Sequence, residues 1–480
     1  MKYRRAPRVF AYGLALALSA CGGDDGGGGG GPSSTLVVTP QAINLAECRA
    51  DTLVATVLDG DGNPVSAPVT FSSTVNSVTS VSPSGIVTAN AVGTASIIVT
   101  SGSLKDTIPV TVTAAPNTLS LSPDSLAIFE GISRQLIPTF LDCHGVTPVG
   151  AVLTYQSSDP QVATFVSGLV DGVSPGSTVL TISDGTVSDT LDLVVKHVPV
   201  VVGSPTLTGR PFGVAASATK AYVTRLDDAA ISDADLPSAV FDLVGFTVGS
   251  TPTDVAFSPS GLKAYVTNQG DGTIGVIDVV SAAQIDTIQT GTSPFRVIFN
   301  TVGDRAFVTT NANQVLVVNT TTDSIISTVS VGGTPNGLVL SNDNSLLYVS
   351  HTNGTIHVLN ANTYVPVDTI ALPGPLQDLG VSADGLTLYV ADESGFLRFW
   401  NLAANNLALS IPMPAFGLKV SPNKELIYVA GSGTVTLIDA SSLEVVNSLT
   451  VSGNARRIAI APDGSVAFVA NEGGFVSVIQ

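Results

Sequence analysis

Residues 264–278 read AYVTNQGDGTIGVID: an alternating apolar run, a glycine-rich turn and a second alternating run. β-Branched and aromatic residues suit a pleated surface, and Asp-Gly suits a tight turn, so the stretch by itself predicts a hairpin. The same pattern recurs at Tyr222-Val223-Thr224, Tyr265-Val266-Thr267, Phe307-Val308-Thr309, Tyr348-Val349-Ser350, Tyr389-Val390-Ala391, Tyr428-Val429-Ala430 and Phe468-Val469-Ala470. Successive copies lie 43, 42, 41, 41, 39 and 40 residues apart, and that regularity marks a repeat array.

Around the opening stretch the strand-like runs are DVAFSPSG, KAYVTN, TIGVIDVV and QIDTIQTG. Four strands in about 40 residues predict one blade of a β-propeller, and seven copies predict a seven-bladed ring. The seventh copy reaches Gln480 after its third strand. Residues 204–212, SPTLTGRPF, match the exit of another blade, DTIQTGTSPF at 286–295, and are expected to pair with the last blade and latch the ring. With YVTN unaltered at 265–268, residues 204–480 resemble the YVTN-repeat β-propeller family, although the last two copies read YVAG and FVAN. The resemblance implies an exported or surface protein. Related propellers include lactonases, quinoprotein subunits and plain binding platforms, so the fold does not choose the activity.

Upstream, residues 36–113 align with 118–195. LVVTPQAINLAECRADTLVATVLDGDGNPV matches LSLSPDSLAIFEGISRQLIPTFLDCHGVTPV, with one residue inserted early. Each copy holds about seven short alternating runs, which predicts a β-sandwich. The early Pro40 and Pro123, the pairs Ser72-Ser73 and Ser157-Ser158, and the late Gly93 and Gly176 resemble the bacterial immunoglobulin-like domain, group 2. That resemblance implies spacers or adhesive stalks. The expected fold is all-β: two tandem Ig-like β-sandwiches, at 35–113 and 117–196, followed by a seven-bladed β-propeller at 204–480.

Two motifs in this region are discounted. Gly172-Val173-Ser174-Pro175-Gly176 fits a nucleophile elbow, but that motif needs a strand-to-helix turn. Asp59-Gly60-Asp61-Gly62-Asn63 offers oxygens to calcium, yet the same residues make ordinary hairpin turns.

The N-terminus is of another kind. Lys2, Arg4, Arg5 and Arg8 precede a short apolar run at 9–18, which predicts an export signal over residues 1–20. It runs into Leu18-Ser19-Ala20-Cys21, which resembles the bacterial lipoprotein signal and implies lipidation of Cys21. A glycine-rich stretch over 21–34 then reads as a flexible tether. Gly22 in place of Asp after the Cys implies the outer membrane or cell surface if the cell is Gram-negative. The remaining Cys48 and Cys143 do not align with each other. In a sandwich of this topology they fall on facing poles of the two modules, so a disulfide between modules is expected, against the alternative of two free thiols or an intermolecular bridge.

The formal charge of −18, from 19 basic and 37 acidic residues, leaves no basic footprint for a phosphate backbone, so no nucleic-acid partner is expected. Aligning the blades places Gly213, Asp254, Arg296, Gly337, Asp378, Gly417 and Arg457 at the start of the innermost strand, beside Phe212, Thr253, Phe295, Asn336, Gln377, Phe416 and Arg456. The candidate ligand residues at the channel face are Asp254, Arg296, Asp378, Arg456, Arg457, Phe212, Phe295, Phe416 and His351. They suit a polar ligand with an apolar part, unless the charges simply pair across blades.

His351 belongs to the ring after each YVT-like motif, with Arg225, Asn268, Thr310, Asp392, Gly431 and Asn471, and His357 follows in the next strand. One His in that ring does not make a metal site, and no catalytic residue, metal or cofactor is assigned. RLDDAAISDADLPSA at 225–239 reads as an acidic insert, and Trp400 as packing. The expected function is non-enzymatic binding or adhesion at the cell envelope, through a lipid anchor in the membrane and an unidentified protein, glycan or small molecule. The alternative is a hydrolase or lactonase at the channel face.

Overall fold

The computed structural model describes residues 34–149 and 152–480; the export signal, Cys21 and the tether up to residue 33 lie outside the described residues. Every regular element among the described residues is a β-strand, so the chain is all-β. No helix among them is long and apolar enough to cross a membrane.

The opening stretch shows how one repeat is built. Pro252–Phe257, Lys263–Asn268, Thr273–Asp278 and Ala283–Gln289 form a four-stranded antiparallel sheet in sequence order. Its second strand, KAYVTN, is buried beyond the first residue, and TIGVID is buried up to its last. These strands are covered on both faces, which is why apolar residues occupy consecutive positions rather than alternate ones. The fourth strand, AQIDTIQ, is largely exposed and carries Asp, Thr and Gln, which suits an open edge.

The same meander recurs with first strands Pro211–Ala216, Pro252–Phe257, Pro294–Phe299, Pro335–Leu340, Leu376–Val381 and Gly417–Val420. The sixth and seventh sheets share one long strand, Val445–Ile460, whose first half pairs with Ser432–Asp439 and whose second half pairs with Ala467–Asn471.

Seven apolar clusters bind these sheets, each lying between two neighbours. One of them joins Ala221 and Val223 of the first sheet to Phe468 and Val476 of the seventh. Tyr222 of the first sheet packs on Phe257 of the second at 4.6 Å between ring centroids, and Tyr265 on Phe299 of the third at 4.9 Å. The Tyr265 hydroxyl donates to Asp323, which also takes Lys263 Nζ at 2.8 Å. The Tyr of the repeat therefore serves the seam between sheets, where a fully buried aromatic stabilises by about 1.5–3 kcal/mol.

Two features differ from the sequence reading. The strand that covers the seventh sheet is Val201–Gly203, paired antiparallel with Phe475–Ile479, and Val200 and Gln480 exchange both backbone hydrogen bonds. Pairing thus begins ahead of Ser204, where 200–202 supplies a β-branched run, and runs on into the expected stretch: the Val476 N–H donates to the Pro205 carbonyl at 3.0 Å, Thr206 bridges to Phe475, and the Leu207 N–H donates to the Gly474 carbonyl at 2.8 Å. Residues 225–239 are not an acidic insert: Ala230–Asp235 is the third strand of its sheet. Its acids are used locally, Asp227 on Arg210 at 2.7 Å, Asp228 on Arg225 at 3.2 Å, and Asp233 and Asp235 on Lys220 at 2.9 and 2.8 Å.

The duplicated N-terminal copies have corresponding sheets. Ile43–Ala46 pairs parallel with Leu104–Thr113 in the first copy, and Ser125–Phe129 pairs parallel with Ser188–Lys196 in the second. Each copy closes on its own core, one around Ile97, Val99 and Ile108, the other around Leu180, Ile182 and Leu191. Cys48 and Cys143 form a disulfide that joins the copies, with Cα atoms 6.2 Å apart. The second copy also packs on the repeat array. Phe129 and Val198 enter the cluster of Tyr428, Leu437 and Ile458, Lys196 pairs with Glu425 at 2.7 Å, and Arg134 pairs with Glu444 at 3.1 Å.

Ser174 of the elbow-like sequence donates its hydroxyl to the Gln161 carbonyl at 2.7 Å, in the turn between Leu169–Gly172 and Gly176–Ser183. The Asp59 carboxylate accepts the amides of Asp61 and Asn63, which makes a turn of DGDGN.

Candidate functional site

The first strands of the seven sheets lie side by side in sequence order, and Val445–Ile460 lies against both Gly417–Val420 and Pro211–Ala216. In six of them the ladder slips at one place, between Pro211 and Val214, Pro252 and Asp254, Pro294 and Val297, Pro335 and Leu338, Leu376 and Asp378, and Ala455 and Arg457. A bulge there re-aims neighbouring side chains. It sends adjacent residues to two cavities, one on either side of the ring of first strands.

The first cavity, of about 350 Å³, takes Phe212, Phe295, Phe416, Arg456 and Arg457. Phe212 and Phe295 meet edge to face at 6.2 Å, and the Arg457 guanidinium lies 5.9 and 5.8 Å from their centroids. Arg456 lies over Phe416 at 4.8 Å and pairs with Glu393 at 3.3 Å and Glu472 at 3.2 Å. Gln377 donates to Glu393 at 2.7 Å and accepts from Asn336 at 2.6 Å. The floor thus combines aromatic faces with a chain of polar groups, a surface that can orient a polar ligand with an apolar part.

The second cavity, of about 660 Å³, contains Asp254, Arg296 and Asp378, and Arg457 borders both. Arg296 bridges the two carboxylates, 3.5 Å from Asp254 and 2.9 Å from Asp378, and Arg457 stands 3.7 Å from Asp378. The charges therefore do pair across sheets, between the two cavities. Burial pushes the Asp254 carboxyl above its ordinary value, against the pull of Arg296 and Arg457. Burial and then Arg296 lower Arg457 to about 10. For Arg296, burial acts downward, but Asp378 and Asp254 outweigh it and the net shift is upward.

Gly213 and Gly337 occupy the same ring position for a steric reason. A Cβ on either would lie 2.7 Å from main-chain atoms of the next first strand.

The residues directly after the YVT-like motifs are not on the cavity wall. Arg225, Asn268, Thr310, His351, Asp392 and Asn471 are all buried. They brace the turns behind them: Arg225 donates to the carbonyls of Leu243 and Val244, and Asp392 accepts from Ser394 and Arg398. His351 packs against His357 at 4.7 Å, with neither of its ring nitrogens hydrogen-bonded. The residues that reach the first cavity are one position further on: Gln269, Asn311, Thr352, Glu393 and Glu472. Strand alternation reverses faces at each step, but strands buried on both faces give no polar signal for which face is which. The second cavity also contains Lys419 and Lys424, which sequence comparison of the repeats did not single out.

No family model matches the chain. Over 166 residues, 34% of its length, it is 32% identical to ice-binding protein 1 of Shewanella frigidimarina. It spans about a fifth of that relative, 19% of its length. Among solved structures it resembles the hydrazine synthase of Kuenenia stuttgartiensis, with a TM-score of 0.52 and 17% identity over 57% of this chain and 96% of that one, a likeness of fold alone.

Proposed function

We propose that the chain is a lipid-anchored protein of the bacterial cell envelope that presents a seven-bladed β-propeller on two Ig-like sandwiches and binds a ligand at the propeller's central face without transforming it. The propeller reading is supported by the seven inter-sheet clusters, one of which joins the last sheet to the first, and by the covering strand at Val201–Gly203. Anchoring at Cys21 and the outer-membrane address rest on the signal sequence. Partial likeness to an ice-binding protein supports a binding role, but the matched length is too small a part of that relative to carry ice over as the ligand.

The observation that carries the reading is the lining of the first cavity. Three Phe and the Arg457 guanidinium line it, its only hydroxyls are those of Thr334 and Thr352, it has no His, Cys, Ser or Lys, and both carboxylates, Glu393 and Glu472, are engaged by Arg456. A hydrolase needs a nucleophile or metal-bound water beside a base, and that pairing is not built into this wall.

The test is a thermal-shift screen of glycans, peptides and small amphiphiles, repeated on Arg456→Ala and Phe416→Ala. Hits are expected to lose at least tenfold in affinity in both variants. Metal analysis and a lactone and ester panel run beside it; stoichiometric metal with turnover overturns the reading. Radiolabelled palmitate incorporation that persists in Cys21→Ser overturns the anchor.

A further inference from the structure

The second cavity is cationic in a protein that is otherwise strongly acidic. Its charged residues are Arg296, Arg457, Lys419 and Lys424 against only Asp254 and Asp378. The two carboxylates are already engaged with the guanidiniums, and each also accepts main-chain N–H groups, Val297 at 3.1 Å on Asp254 and Leu379 at 3.1 Å on Asp378.

Lys419 and Lys424 make no ion pair and no side-chain hydrogen bond among the described residues. Lys196, Lys220 and Lys263, by contrast, all hold carboxylates. The Lys419 side chain is open to the cavity yet ringed by protein. Burial lowers both ammonium pKa values, and Lys419 adds to the effect on Lys424. Arg457, which borders both cavities, is 5% exposed and its Nε–H has no acceptor. Asn300, Thr301 and Asn342 also line the cavity, beside apolar walls such as Ile298, Val339 and Ile458 that bound its size.

We propose that this second cavity, on the side of the ring opposite the Phe-lined one, is a binding site for a small oxyanion carrying a phosphate or carboxylate group, held by Lys419 and Lys424 with the Arg457 guanidinium on the same cavity wall. An ammonium acts as a point charge that tolerates several oxyanion geometries, so the class is set by charge and size, and both phosphate and carboxylate fit. The ion completes the cavity by supplying the acceptors that the two lysines and Arg457 lack. Arg457 borders both cavities, whereas Lys419 and Lys424 line this one alone, so their variants report on this site separately from the Phe-lined cavity.

The experiment titrates the full chain with inorganic phosphate, sulfate and citrate by calorimetry and thermal shift at constant ionic strength, with chloride and glucose as controls. Saturable one-to-one binding of phosphate or citrate is expected, weakened at least tenfold in Lys419→Met and several-fold in Lys424→Met, and largely kept in Lys419→Arg. Lys105→Met, a lysine outside the cavity, is expected to bind as the parent does. Preference for phosphate and sulfate over citrate assigns the phosphate arm, and the reverse assigns the carboxylate arm. Absence of saturable binding to all three ions, or binding that survives Lys419→Met in a folded variant, overturns the proposal.

Discussion

Arg296 and Asp378, 82 residues apart in sequence, meet at 2.9 Å from the third and fifth sheets, with only 11% and 6% of their side chains exposed. The contact skips the intervening sheet, whose residue at that ring position is Gly337. Charge at one position and glycine at the next let partners reach across the opening instead of along the wall. Such a pair costs desolvation, and only its full set of partners offsets that cost.

Asp378→Ala is therefore expected to be severe, at about 3–5 kcal/mol, since it strips acceptors from Arg296, Arg457 and the amides of Leu379 and Leu418 together. Asp378→Ala combined with Arg296→Met removes one stranded charge and should lose less than the two single changes added together. Urea unfolding of all three variants measures the coupling, and strict additivity would count against a shared network.

His351 makes stability pH-dependent. Burial, and secondarily His357, lower its pKa to about 4 from the ordinary 6.5. The unfolded chain therefore binds the proton more readily, so stability is full above about pH 6.5 and falls as pH drops toward 4, by about 2–3 kcal/mol over the window. His351→Asn, the residue found at this position in the second and seventh repeats, should flatten that slope. Melting temperatures between pH 4 and 7 on both proteins decide it; parallel slopes would remove His351 as the cause.

How much of this was legible beforehand follows from what period and pairing can encode. The Tyr222 to Phe468 series displayed the repeat because each copy fills the same seam between sheets. The charged ring at Asp254, Arg296, Asp378 and Arg457 was legible because aligned repeats expose the positions that differ. The shift from His351 to Thr352, or from Asp392 to Glu393, was not, since a strand covered on both faces carries no alternation to fix its register. Lys419 was hidden by position: it lies two residues beyond Gly417, on a first strand whose neighbours place apolar residues or Gly380 there.

Gly417 should tolerate no side chain. A Cβ there would overlap the Arg456 carbonyl oxygen on the adjoining first strand, which is backbone and cannot swing aside. Gly417→Ala is expected to destabilise by about 2 kcal/mol or more through forced separation of the two strands. At Gly203 a Cβ meets nothing within 4 Å, so Gly203→Ala serves as the neutral comparison. Equal denaturation midpoints for the two variants would show that the approach at Gly417 is not tight.

The Cys48–Cys143 bond ties the first N-terminal copy to the second, while the second is held to the repeat array by Phe129, Lys196 and Arg134. Reduction should therefore act unequally. Closing a loop with a sequence separation of 95 restricts the unfolded chain, an effect of about 4–5 kcal/mol in the chain-entropy account. That effect falls on the two copies the bond spans, not on the sheets after it. Cys48→Ser with Cys143→Ser is expected to lower the urea midpoint of the N-terminal copies, leave the repeat array's transition in place, and raise the radius of gyration as the first copy swings free. Small-angle scattering and two-probe unfolding test both parts. Unchanged scattering would mean that contacts other than the bond hold the copies in line, and a shifted array transition would mean that the N-terminal copies and the array unfold as one.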